Sequence, residues 1–218
     1  MKRLALVITI VLLATLKVTA QQHQPNTSAI TVYHDFRPAT VYLTSGRKTS
    51  IPLANIFLKN GALLYMSNDN IMEADMSTLL RVEFEDRTYI RIDSMLCYQV
   101  DSVGNDALFC TKVIDINAYK QSRANSANIT NLDLTSLTST SSSLSYNTIE
   151  ATDKSELQFP VVNVYYYRLN DKFVRVHERH LKRTLTKEKR QIMESVMNMP
   201  GFTWTNEKYL MMILEKIQ

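Results

Sequence analysis

The chain has 218 residues, 45% of them hydrophobic, with 25 Lys and Arg against 21 Asp and Glu and only two cysteines. That composition is of the ordinary globular kind and excludes a low-complexity or disulfide-dense scaffold. It leaves room for one sizeable core or two small ones.

The formal charge of +4 is partly a property of the N-terminus. "MKR" at 1–3, an apolar run over 4–16 and "VTA" at 18–20 read as an export signal cut after Ala20. The run is shorter than the roughly twenty residues that span a bilayer, so cleavage is expected rather than anchoring. Position 21 is Gln, not the Cys of a bacterial lipoprotein. The expected mature chain, 21–218, is soluble and periplasmic or extracellular. Loss of Lys2, Arg3 and Lys17 leaves 22 basic residues against 21 acidic ones, which removes the whole-protein argument for nucleic-acid binding. A local asymmetry survives: residues 168–190 carry nine basic and three acidic side chains.

After an extended lead over 21–38, residues 39–120 are punctuated as a β-rich unit. "TVYLT" (40–44) ends at Ser45-Gly46, and "IFL" (56–58) and "LLYM" (63–66) flank Asn60-Gly61, a type I′ hairpin signal. "LRVEF" (80–84) and "TYIRI" (88–92) alternate about Glu85-Asp86, giving Leu80, Val82, Phe84, Ile90 and Ile92 as the inward set. Strands over 95–100 and 107–116 follow. A turn centred between Val103 and Gly104 sets Cys97 opposite Cys110, where a cross-strand disulfide is geometrically available. Two reduced, buried thiols are the alternative, separated from the first by one step of register.

Residues 121–155 are rich in Ser and Thr and read as a long loop or disordered insertion. Residues 156–218 return to regular structure as a hairpin and two helices of the same domain. In "VNVYYYRLNDKFVRVH" (162–177), a two-residue turn at Asn170-Asp171 pairs Tyr167 with Val174, Tyr166 with Arg175 and Tyr165 with Val176. Tyr165, Tyr167, Leu169, Val174 and Val176 then share one face. Tyr166, Arg168, Arg175, His177 and Arg179 share the other, with Tyr166 placed under Arg175 for a cation–π contact. Thr186 caps a helix with Ile192, Val196 and Met199 on one stripe, ended by Pro200-Gly201. Thr205 or Asn206 opens a second, striped by Tyr209, Leu210, Ile213, Leu214 and Ile217. The predicted fold is therefore α+β, a mainly antiparallel barrel- or sandwich-like β unit with a C-terminal helix pair packed on it.

No constellation identifies a reaction. A GxSxG elbow, a phosphate loop, a separated Cys–His pair and apolar paired carboxylates are missing from the sequence. Glu83, Glu85 and Asp86 alternate with core residues or sit in a turn, as solvated carboxylates do. His177 and His180 lack a nearby third ligand, His34 being distant, and lie among cations, which opposes a metal site. The protein is thus expected to be non-enzymatic, without metal or cofactor. Stacking aromatics committed to the core argue against nucleic acid. Arg168, Arg175, His177, Arg179, Lys182 and Arg183 are the candidate contacts for an anionic glycan or lipid head group. Met197, Met211 and Met212 either mark a partner surface or pack on the β unit.

"NIFLKNGALLY", "VEFEDRTYIRID", "YYYRLNDKFVRVHER" and "FTWTNEKYLMMILEKI", in that order after a short signal, resemble small exported proteins of uncharacterised function from Bacteroidota. The resemblance carries no catalytic residues. It implies an envelope setting in which an interaction or structural role with an envelope protein, glycan or lipid is expected. The tripeptides at 93–95 and 101–103 look like the O-glycosylation motif of that phylum, implying Ser94 and Ser102 as acceptors.

Overall fold

The computed structural model describes residues 30–124, 143–144 and 159–218. The expected signal, residues 21–29 of the lead, and residues 125–142 and 145–155 of the Ser/Thr-rich segment lie outside the described residues. Within them no helix is long and apolar enough to cross a membrane.

Two antiparallel meanders are joined into one sheet. The first is β1 (Arg37–Leu43), β2 (Lys48–Ile56), β3 (Leu63–Ser67) and β4 (Asn70–Glu73). A 3₁₀ turn, Met76–Thr78, carries the chain back to the free side of β1. There a second meander starts, with β5 (Leu79–Phe84), β6 (Thr88–Ile92), β7 (Met95–Val103) and β8 (Asp106–Ile114). Helix α1 (Ile116–Ala124) and the two-residue β9 (Ser143–Leu144), which pairs with β4, precede the hairpin β10 (Val161–Leu169) and β11 (Lys172–Arg175). The strand order is β11-β10-β8-β7-β6-β5-β1-β2-β3-β4-β9. Helices α2 (Glu178–Thr184), α3 (Lys187–Met197) and α4 (Glu207–Ile217) complete the chain.

The sheet curls into a half-barrel with the C-terminal helices packed on it. Its curl is fastened where the β2–β3 corner reaches across to the other meander: Leu96 N–H donates to Gly61 O at 2.8 Å and Ile114 N–H to Leu58 O at 2.7 Å. Gly61 has φ +70°, and a Cβ there would stand 2.9 Å from that of Met95, so this corner needs glycine on two counts. One row of cross-strand partners crosses the inner face: Val41, Val82, Tyr89, Tyr98, Cys110 and Tyr165. Half of that face closes on itself around Ala39, Val41, Ile56, Leu63, Val82 and Phe84. The other half is covered by α2, α3 and α4 through Leu181, Met193, Val196, Leu210, Ile213, Leu214 and Ile217. Each such side chain is worth about 1.5–3 kcal/mol on burial, which is how helices of eleven residues or fewer hold their place.

The α+β architecture is as expected, and so is the second hairpin. Asn170 and Asp171 both have positive φ, 48° and 63°, and Tyr166 pairs with Arg175 and Tyr167 with Val174. Thr186 and Asn206 are the N-caps of α3 and α4. Met193, outside the predicted stripe, is the fully buried methionine of α3, while Ile192 and Tyr209 are only partly buried.

Several expectations fail for identifiable reasons. Among the residues of the Asn60-Gly61 turn only Gly61 has positive φ, so it is not type I′; Asn68-Asp69, with φ 49° and 61°, supplies that backbone signature in the β3–β4 hairpin. Leu80 is 50% exposed and Leu79 buried instead, because a register shift at the end of β1 rotates the strand. Ile92 packs on the outer face with Ile90 against it, while Tyr89 takes the inner position beside Val82. Of the two alternatives for the cysteines the reduced, buried one holds, Cys97 and Cys110 being free thiols, while their expected cross-strand pairing fails. Tyr98, not Cys97, pairs with Cys110, since the β7–β8 turn lies at Gly104-Asn105 and a bulge interrupts Gln99 and Asp101. That single step puts Cys97 with Phe109 and Tyr166 on the outer face and Cys110 with Tyr165 and Tyr167 on the inner one, out of bonding reach. The chain over 116–124, expected to finish a strand and begin the insertion, is α1, whose Tyr119 packs on Phe159.

Candidate functional site

The basic stretch 168–190 is divided by the fold. Arg168 and Arg175 lie on the outer sheet face, where Arg168 Nη2 donates to Asn105 O at 3.2 Å and its guanidinium stands 5.8 Å from the Phe109 ring. Arg168, not Arg175, is the cation over an aromatic ring there, and its Nε is buried without a hydrogen-bond partner. β11 ends at Arg175, so His177 and Arg179 do not continue the outer face. His177 is instead the N-cap of α2: its Nδ1 accepts from Arg179 N–H at 3.3 Å, and its ring stacks on Trp204 at 6.3 Å. Lys182 is engaged by Glu178 at 2.7 Å and Glu194 at 3.1 Å, and those carboxylates hold its pKa above the usual lysine value. Arg183 is exposed on the same short helix. The six candidate contacts therefore do not form one patch.

The same stretch does build a cleft, with different residues. The β10–β11 turn, the α2–α3 junction and the end of α4 enclose a cleft of about 390 Å³ lined by Asp106, Leu169, Asn170, Lys172, Thr184, Leu185, Thr186, Lys189 and Ile217. Leu169, Leu185 and Ile217 form its apolar floor, buried on the helix-covered side of the sheet. Its charged lining residues are Lys172, Lys189 and Asp106, and Asp106 already accepts from Asn170 N–H at 3.1 Å. Neither Lys172 nor Lys189 has an ion-pair partner among the described residues. Thr186 Oγ1 accepts from Lys189 N–H at 3.4 Å, and the Thr184 hydroxyl donates to His180 O at 3.1 Å. Beside them, the Glu188 carboxyl is lowered by its own N–H and by Thr186. Lys172 and Lys189 were visible in the sequence only as members of a charge run. What singles them out is the α2 turn, which the strand reading of His177 concealed.

The concave face carries a second group of polar side chains. Tyr33 Oη lies 3.1 Å from Asp86 Oδ1 and 3.2 Å from Tyr89 Oη, and Tyr165 Oη donates to Glu207 Oε1 at 3.1 Å. Arg87 stacks over Tyr98 at 4.1 Å. Burial raises the pKa of Tyr33, Tyr89, Tyr98 and Tyr165, as it does that of the Cys110 thiol between the last two. These groups hold their protons at neutral pH, so they serve as hydrogen-bond donors rather than bases or nucleophiles.

Ring centroids of His177 and His180 are 6.1 Å apart, and among the described residues no group of three His, Cys, Asp or Glu side chains is placed to hold a metal ion. Ser94, in the β6–β7 turn, and Ser102, on β7, are both exposed. Met197, Met211 and Met212 are partly buried against the inner cluster. No protein-family model, curated protein or solved structure matches the chain.

Proposed function

We propose that this is a non-enzymatic, exported protein of the cell envelope that works by binding, and that the cleft between the second hairpin and the helix pair receives an anionic glycan or lipid head group. The observation that carries the reading is that Lys172 and Lys189 line one cleft of about 390 Å³ together with Leu169, Leu185 and Ile217, a size within the range of small-ligand sites. Two cations and two hydroxyls beside three aliphatic side chains suit an anionic group attached to something less polar. The broader alternative is a purely structural or protein-interaction role in the same compartment, with the cleft empty.

The test uses the mature chain and two double variants, Lys172→Glu with Lys189→Glu in the cleft and Arg175→Glu with Arg179→Glu outside it. All four positions are solvent-accessible, and circular dichroism checks that both variants remain folded. Retention of the wild type on a phosphate-ester or sulfated-glycan column, weakening with salt and lost in the cleft variant alone, supports the site. Passage of the wild type without retention, or loss only in the Arg175/Arg179 variant, overturns it.

A further inference from the structure

We propose that the half of β10 left unpaired by every described strand is a strand-addition site for an extended acidic segment of a partner protein. β10 runs over Val161–Leu169, but β11 pairs only with Tyr166, Tyr167, Arg168 and Leu169. Beyond that point Val176 N–H donates to Tyr165 O, and the chain turns away into α2. On the opposite side, Pro160 O accepts from Asp115 N–H, at the start of the ladder with β8. In an antiparallel strand the N–H and C=O of one residue point the same way and alternate along the chain. Both observations therefore set the same phase: Val162 and Val164 pair with β8, while Val161 and Asn163 direct their backbone groups outward. Among the described residues nothing pairs with these outward groups.

The edge also lacks the usual protection. Exposed edges are blunted by Lys, Pro within the strand, or a bulge, and β11 follows that rule with Lys172 and Arg175. Residues 161–164 read Val-Val-Asn-Val, with Val161 47% exposed. An uncharged edge that no described residue pairs is a template for an extended peptide in line with β11. Its charge preference comes from the flanks. They stand on opposite faces of the sheet: Arg175 closes β11 on the outer face beside Tyr166, and Lys112 lies opposite Asn163 on the inner face, two residues from Cys110. Both are exposed and without an ion-pair partner among the described residues, whereas the nearby Glu207 is engaged by Tyr165.

The probe is a short synthetic peptide of paired Glu and paired Val residues, which sets Glu on both faces of an added strand, compared with its Lys and Val counterpart, while amide hydrogen exchange is followed by NMR on the full mature chain. The expected result is slowed exchange at Val161 and Asn163 with the Glu peptide and none with the Lys peptide. Asn163→Pro deletes the outward donor without touching a ladder bond and should weaken binding about tenfold or more. Asn163→Val keeps the N–H, folds equally and binds as the wild type. Binding unchanged by Lys172→Glu with Lys189→Glu separates this edge from the cleft. Unaltered exchange at both amides, equal binding of the Lys peptide, or protection already present in a free protein that sediments as a dimer each overturns the proposal.

Discussion

Asn55 grips Tyr33 by both backbone groups: its Oδ1 accepts from Tyr33 N–H at 3.1 Å and its Nδ2 donates to Tyr33 O at 2.9 Å. The same amide reaches Ile56 N–H at 2.8 Å and Asp35 O at 3.3 Å, and the side chain is fully buried. One satisfied amide thus stands in for a strand partner along residues 33–35. Asn55→Ala leaves Tyr33 N–H without its acceptor and should cost about 1–3 kcal/mol, read as a lower denaturant midpoint with unchanged slope. Asn55→Asp should fare little better, since it loses the donor to Tyr33 O. Full stability of either variant would show that this staple is dispensable.

Tyr167, buried on the helix-covered face, donates to Leu210 O at 2.6 Å. Tyr167→Phe keeps the ring packing and removes only this tie between β10 and α4. The expected loss is about 1 kcal/mol, seen as a small fall in melting temperature with the helical dichroism intact. Tyr167→Ala should cost about 3–5 kcal/mol, because the cavity then lies directly beneath the helices.

The two thiols should behave as separate, inert groups. Both are buried, and burial raises the pKa of each. Native protein should therefore resist a thiol reagent at pH 8, react with two equivalents only after denaturation, and migrate identically with and without reductant. Quantitative loss of both thiols in oxidant without unfolding would contradict their placement on opposite sheet faces.

Alkaline pH should unfold the protein, with a definite sign. Burial raises the pKa of Tyr33, Tyr89, Tyr98, Tyr165 and Tyr167 above 10.0, and pushes that of Tyr166 to about 12. Above pH 10 the unfolded chain releases phenolic protons that the folded chain retains, so stability falls as pH rises. Below pH 10 these phenols are protonated in both states, and their contribution is full and constant. Phenolate absorbance followed against pH should therefore show a fraction that appears only with loss of structure. A single transition near pH 10 in folded protein would contradict the buried assignments.

The legibility of the sequence differed between two hairpins that both close with a two-residue turn. At Asn170-Asp171 a two-residue turn admits essentially one register, so every cross-strand partner of Tyr166 and Tyr167 could be read directly. Between β7 and β8 the turn lies one residue from its expected centre and a bulge adds another irregularity, so alternation put Cys97 on the wrong face. The helix caps at Thr186 and Asn206 were legible because capping depends only on local chemistry. Asn55 gave no signal: it sits inside "LANIF", and its role depends on a segment twenty-two positions earlier. The cleft lysines were hidden for a related reason, since the bend after Arg175, absent from the period-two pattern, decides which cations converge.

Asp115 N–H donates to Pro160 O at 2.8 Å, and the ladder between β8 and β10 continues from that rung to Ala107 and Arg168. The sheet thus treats residues forty-five positions apart as ordinary neighbours, and the seam is complete whatever the length of the excursion it closes. Lengthening such an excursion adds only logarithmically to the cost of closure. The rung formed by Asp115 and Pro160 is accordingly set by the sheet itself, so a change in the length of the intervening chain should leave the β8–β10 register where it is.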